Sequence, residues 1–158
     1  MSKVSPCLWF NGEAEEAANF YVSLLPDSRI ERVQNNLADG LAGKAGTVLL
    51  VDFTLAGQRF MALNGGMKME YTHAVSFVID CADQAEIDRL WDALLAHGGK
   101  AEQCGWLRDR YGVSWQIVPA EFRRHIAGSD QAGAARAMQA MLGMVKLDIE
   151  ALRKAYEG

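Results

Sequence analysis

Two periods alternate along this chain, one of about two residues and one of three to four. Residues 4–10 alternate, with Val4, Leu8 and Phe10 on one side and Ser5, Cys7 and Trp9 on the other, which predicts a strand with Pro6 near its start. Asn11 is placed to cap a helix, and Glu13, Glu15 and Glu16 sit in its first turn, where the helix dipole favours acids. Ala14, Ala17, Ala18, Tyr21, Leu24 and Leu25 then recur at helical spacing until Pro26 ends the run. Residues 28–35 alternate again around Ile30 and Val33. Residues 36–46, rich in Asn, Gly and Ala, have no period and read as a mobile loop, a candidate lid. Strands are predicted over 47–55 and 58–64, joined by a turn at Ala56-Gly57, and Gly65-Gly66 breaks the second.

The same order then returns. A strand is predicted over 73–80, followed by a helix that starts with a capping-box-like Asp83 and Glu86, carries Ile87, Leu90, Trp91 and Leu94 as its stripe, and stops at Gly98-Gly99. A short strand over 100–104 leads to a hairpin in Gln103–Pro119 that turns at Tyr111-Gly112. On its outgoing strand Trp115 and Ile117 face one way and Ser114, Gln116 and Val118 the other. The expected fold is α+β: paired βαβββ modules at 4–64 and 73–118 within residues 1–119, with 120–158 a helical C-terminal extension of the same domain. Aligning the modules sets Phe60 against Trp115 and Met61 against Gln116. The extension predicts helices over 121–127, after Gly128-Ser129-Asp130, and over 146–156; its Met-rich apolar face suits packing on a sheet or a partner.

Composition narrows the function classes. Half of the 158 residues are hydrophobic and 23% charged, an ordinary globular balance. A net charge of −4 argues against nucleic acid or an anionic membrane as partner. No apolar run is long enough to span a bilayer and no signal-peptide core stands out, so a cytoplasmic protein is expected. Cys7, Cys81 and Cys104 form no CxxC pair and are expected to be free thiols. Arg108-Asp109-Arg110 reads either as a group that orients an acidic ligand or as an exposed hairpin pair.

DRYGVSWQIVP, PCLWFNGEAEEAANFY, GQRFMALNGG and AVSFVIDC together resemble the vicinal-oxygen-chelate superfamily of glyoxalases, bleomycin-resistance proteins and extradiol dioxygenases. The closest resemblance is to its PhnB-like branch, often labelled demethylubiquinone methyltransferase-like, and QAMLGMVKLDIEALRKAYEG looks like that branch's end. The resemblance implies a homodimer and, for the superfamily's enzymes, one divalent metal held by His and Glu from cavity-facing strands. At the matching positions this chain has Ser5, Met61, Ala74 (next to His73) and Gln116. None is His, Cys, Asp or Glu, so no metal and no cofactor are expected. No glycine-rich nucleotide turn is present to hold a methyl donor. What remains is a pocket in which Cys7, Trp9, Met61, Leu63, Asn64, Ser76 and Gln116 face a cavity with Trp106 at its mouth. The leading reading is a metal-free binder of a small apolar or aromatic molecule. The alternatives are a metal-dependent lyase, isomerase or dioxygenase with an altered site, needing His73 to point inward, and a structural or regulatory dimer without ligand.

Overall fold

The computed structural model describes residues 3–158. The chain divides into two compact units, one ending at Glu70 and one spanning Tyr71–Gly158.

The first unit runs β1 (Cys7–Phe10), α1 (Ala14–Val22), β2 (Arg29–Asn35), β3 (Val48–Leu55) and β4 (Gln58–Asn64). Its sheet has the order β1-β4-β3-β2. β4 lies parallel to β1, and the other neighbours are antiparallel. The β3–β4 hairpin closes in two residues because Ala56 and Gly57 both take positive φ, 46° and 78°, matching the twist of the strands they join. Alternation then fixes the faces. Leu8, Phe10, Val51, Phe53, Phe60 and Ala62 are buried against Ala14, Ala17, Ala18 and Tyr21 of α1. Phe53 and Phe60 are cross-strand partners whose rings stack at 5.4 Å. Burying side chains of this size is worth ~1.5–3 kcal/mol each, so this face sets the register.

One expectation for this unit is corrected. Asn11 does not cap α1, whose N-cap is Glu13 without a side-chain bond. The free N–H groups are met from the sheet: Asn64 Oδ1 accepts from Gly12 N at 2.9 Å and Ala14 N at 3.0 Å. The loop at 36–46 is internally braced. Asn36 and Thr47 bond through both backbone and side chains, Gly40 and Gly43 exchange backbone bonds, and Asp39 Oδ1 accepts from Ala45 N.

The second unit repeats the plan with β5 (Phe77–Cys81), α2 (Gln84–Leu95), β6 (Lys100–Ala101), β7 (Trp106–Arg108) and β8 (Ser114–Pro119), in the order β5-β8-β7-β6. Ile87, Leu90, Trp91 and Leu94 of α2 are buried, as are Ile79, Cys81, Leu107, Trp115 and Ile117 of the sheet. Asp83 caps α2 by accepting from Glu86 N at 2.8 Å, and Glu86 Oε2 accepts from Ala82 N in return. β5 begins four residues later than the alternation suggested, so His73, Ala74 and Ser76 precede the strand. β6 is likewise two residues rather than five.

The extension forms α3 (Ala120–Ala127), α4 (Gln131–Met141) and α5 (Ile149–Glu157). α5 starts at Asp148, whose side chain accepts from Ala151 N, rather than at Lys146. That leaves Leu147 free to enter the core with Val118, Phe122, Ala137 and Leu152. The segment before α5 is sewn to the hairpin: Cys104 N donates to Met144 O and Gly105 N to Val145 O, both at 2.8 Å. Gly105, with φ 81°, has to be glycine, because a Cβ there would meet Leu147 Cγ at 2.9 Å. Gln84 adds a clasp, accepting from Ile149 N and donating to Leu147 O. No helix among the described residues is long and apolar enough to cross a membrane.

Candidate functional site: two open sheet faces

In the first unit the face turned away from α1 carries Cys7, Trp9, Met61 and Leu63. The register lines them up: Cys7 lies beside Met61 and Met61 beside Asp52, with Trp9 beside Leu63 in the next row. Trp9 is anchored. Its Nε1 donates to Met67 O at 2.7 Å, and its indole lies on Gly65, where a Cβ would sit 1.8 Å from Cζ2. Gly66, with φ 83°, packs as tightly on the Leu41 carbonyl. The glycine pair therefore seats a tryptophan and a loop. Asn64 is the exception among the residues predicted to face a cavity. Strand parity turns it to the helix side, where it is buried, and besides capping α1 its Nδ2 donates to Val48 O. Cys7 is no activated thiol: burial first, and then the Asp52 carboxylate, push its pKa up. A cavity of about 680 Å³ opens at the hairpin end of this sheet, lined by Arg29, Glu31, Arg32, Asp52, Thr54 and Arg59 among others. Its charges are largely paired: Arg29 with Glu31, and Arg32 with Asp52 through both Nε and Nη2.

In the second unit Gln116 is the central residue of the open face, flanked by Val78 on β5 and Trp106 on β7. Its Nε2 donates to Ser76 Oγ at 2.9 Å. Ser76, Trp106 and Gln116, predicted to share a site, are thus neighbours. Beside them lies a cluster that no spacing in the sequence announces. His73 Nε2 and Glu102 Oε2 are 2.6 Å apart, and Arg108 Nε donates to Glu102 Oε1 at 2.8 Å. The His73 ring stands 6.1 Å from that of Trp106, tilted by 45°. Only Trp106 and Arg108 are close in sequence; the turn before β5 and the β6–β7 connection supply the rest.

Asp109 corrects the reading of Arg108-Asp109-Arg110 as a ligand-orienting or exposed run. It is 3% exposed and is the hub of its hairpin. Oδ1 accepts from Tyr111 N and Val113 N, and Oδ2 from Trp115 Nε1 at 2.9 Å. The arginines part ways, Arg108 to Glu102 and Arg110 over the Tyr111 ring at 5.0 Å.

The residues do not suit a divalent metal. The structurally matched central positions are Met61 and Gln116, and their first-strand neighbours are Cys7 and Val78 rather than Ser5 and Ala74. Asp52 is committed to Arg32, and His73 to Glu102. Among the described residues no three His, Cys, Asp or Glu side chains group in a way that could hold an ion.

The family described as 3-demethylubiquinone-9 3-methyltransferase matches residues 2–118. The chain belongs to that family. A structure described as a 3-demethylubiquinone-9 3-methyltransferase, PhnB protein, from Bacillus cereus is 37% identical, with 75% of this chain and 100% of that one covered and a TM-score of 0.67. A crystal structure of a Pseudomonas aeruginosa protein has 22% identity, coverage of 75% and 98%, and a TM-score of 0.61. The fold also matches the fosfomycin resistance protein FosX from Mesorhizobium loti, at 12% identity, coverage of 81% and 100%, and a TM-score of 0.53. Among curated proteins none matches. The likeness to the Bacillus cereus protein makes this a PhnB-like chain, and the FosX match shows the same fold. The family match stops at residue 118, just before the extension.

Proposed function

We propose that this PhnB-like protein binds a small, largely apolar or aromatic molecule without the help of a metal. The observation that carries the reading is the open face of the second sheet. A half-buried indole, Trp106, lies next to an amide, Gln116, and that amide is held at one end only, by Ser76. An aromatic wall with a few placed polar groups is the usual make-up of a small-molecule site. Trp9, Met61 and Leu63 give the first sheet a second apolar face of the same kind. A methyl-transfer role draws no support from the glycines after β4, which pack against Trp9 and Leu41.

The test uses purified full-length protein, a bicyclic aromatic probe such as 1-naphthol, and intrinsic tryptophan fluorescence, with and without a chelator. The expected result is saturable quenching that the chelator leaves unchanged and a melting temperature that rises with probe concentration. Gln116→Ala should weaken the probe about tenfold, the equivalent of ~1.4 kcal/mol, with a far smaller loss of stability. Stoichiometric metal in the purified protein, or quenching that needs an added divalent ion, would overturn the metal-free reading.

A further inference from the structure

The cluster beside Trp106 has a defined chemistry. A carboxylate on His73 Nε2 fixes the neutral imidazole as the Nε2–H tautomer, so the lone pair sits on Nδ1. Glu102 cannot turn away, because Arg108 Nε holds its other oxygen. Among the described residues His73 Nδ1, the terminal nitrogens of Arg108 and Gln116 Oε1 have no hydrogen-bond partner. Next to Arg108 across the β7–β8 pair stands Ser114, 1% exposed, its Oγ also without a partner. An aromatic wall, a base whose tautomer is fixed, a cation and unspent polar groups thus share one sheet face.

We propose that this face takes a phenol-type ligand: a planar aromatic ring against Trp106, with an acidic hydroxyl whose proton passes to His73 Nδ1. The phenol O–H bond breaks, an N–H bond forms on Nδ1, and the electron pair stays on the phenolic oxygen. No oxidant or further reactant is required. The step requires the imidazole to be neutral beforehand, beside one carboxylate and one guanidinium. After it, the imidazolium is paired with Glu102, and the phenolate lies near Arg108 and near Lys100, which is opposite Arg108 on β6. The acid facing from β5, Asp80, is engaged by Arg123. Charge separation is therefore matched on both sides. His73 is the group that touches ligand, and Glu102 is a positioning residue.

The inference rests on the aromatic-binding reading, and the experiment separates the two. Full-length protein is titrated with 3-nitrophenol, a weaker acid than the 4-isomer, at a pH above the ordinary imidazole range where the free probe is still mostly protonated. Tryptophan quenching reports binding, and the visible absorbance of the phenolate reports ionisation. Bound probe should show a phenolate-to-phenol ratio about tenfold above that of free probe, one unit of displaced acidity. His73→Gln and Glu102→Gln should lose most of that gain while quenching persists, and 3-nitroanisole, lacking the hydroxyl, should quench more weakly. The His73 side chain is exposed and that of Glu102 half-buried, so circular dichroism checks that the variants fold. Quenching without extra phenolate overturns the proton-accepting cluster and leaves the aromatic site standing. Full phenolate signal in His73→Gln overturns it as well. No quenching by either probe overturns the aromatic site and the inference together.

Discussion

Replacing Asp109 with alanine tests whether one buried carboxylate holds the hairpin of the second unit together. The carboxylate is almost wholly buried, and its contacts include two backbone N–H groups of its own turn and the indole of Trp115. Hydrogen bonds to a charged group are worth ~1.5–3 kcal/mol each, and their removal strands buried donors. Such losses are not additive, because Tyr111 N and Val113 N can partly recover water. We therefore expect Asp109→Ala to cost ~3–5 kcal/mol, less than the sum of three hydrogen bonds to a charged group. Asp109→Asn keeps the shape but sets an NH₂ against a donor, and ~1–3 kcal/mol is expected. Trp115→Phe removes one donor and should fall in the same range. Urea unfolding with a constant m-value is the assay, since only then does the midpoint report stability. The double variant should be less destabilised than the sum of the two singles, because Asp109 and Trp115 share one bond. An Asp109→Ala loss below ~1 kcal/mol, the scale of an ordinary surface change, would refute the hub. Additive losses would refute the Trp115 bond.

Gly65→Ala forces its Cβ into the Trp9 ring. The indole must leave Met67 O, so a loss of ~1–3 kcal/mol is expected, as for overpacking; an unchanged melting curve and indole fluorescence would contradict the packing. Arg153 holds Glu121 through Nε at 2.8 Å and Nη2 at 2.7 Å, and this bond above all lowers the Glu121 pKa. A carboxyl whose folded pKa is depressed adds stability above its unfolded value and loses it as pH falls through the folded one. Arg153→Gln should therefore lower the melting temperature at neutral pH, with a gap from wild type that closes under acid; a gap independent of pH would mean that Arg153 acts through its packed stem.

Much of this protein is written in short-range pattern. Period-two and helical runs mark the strands and helices, and the repeated order of elements marks two modules, because each signal needs only neighbours within a few residues. The stripe Ile87, Leu90, Trp91 and Leu94 and the two-residue turn at Ala56-Gly57 are legible for that reason. Free thiols follow as well, with Cys81 buried and its pKa raised to about 12, chiefly by desolvation.

What the pattern leaves open are contacts made at a distance. Asn64 caps a helix fifty residues earlier in the chain. Leu147 fills a core beside a glycine of the hairpin. Asp109 is internal where its neighbours Arg108 and Arg110 suggest surface. His73 and Glu102, 29 residues apart, meet beside Trp106. A one-residue change of parity reverses which side of a sheet a side chain occupies, and a strand that starts late moves its first residues out of the sheet, as at His73 to Ser76. Local sequence determined which elements form and which of their faces are apolar. Only the tertiary structure decided which polar groups find each other, because a hydrogen bond depends on separation in space and not along the chain.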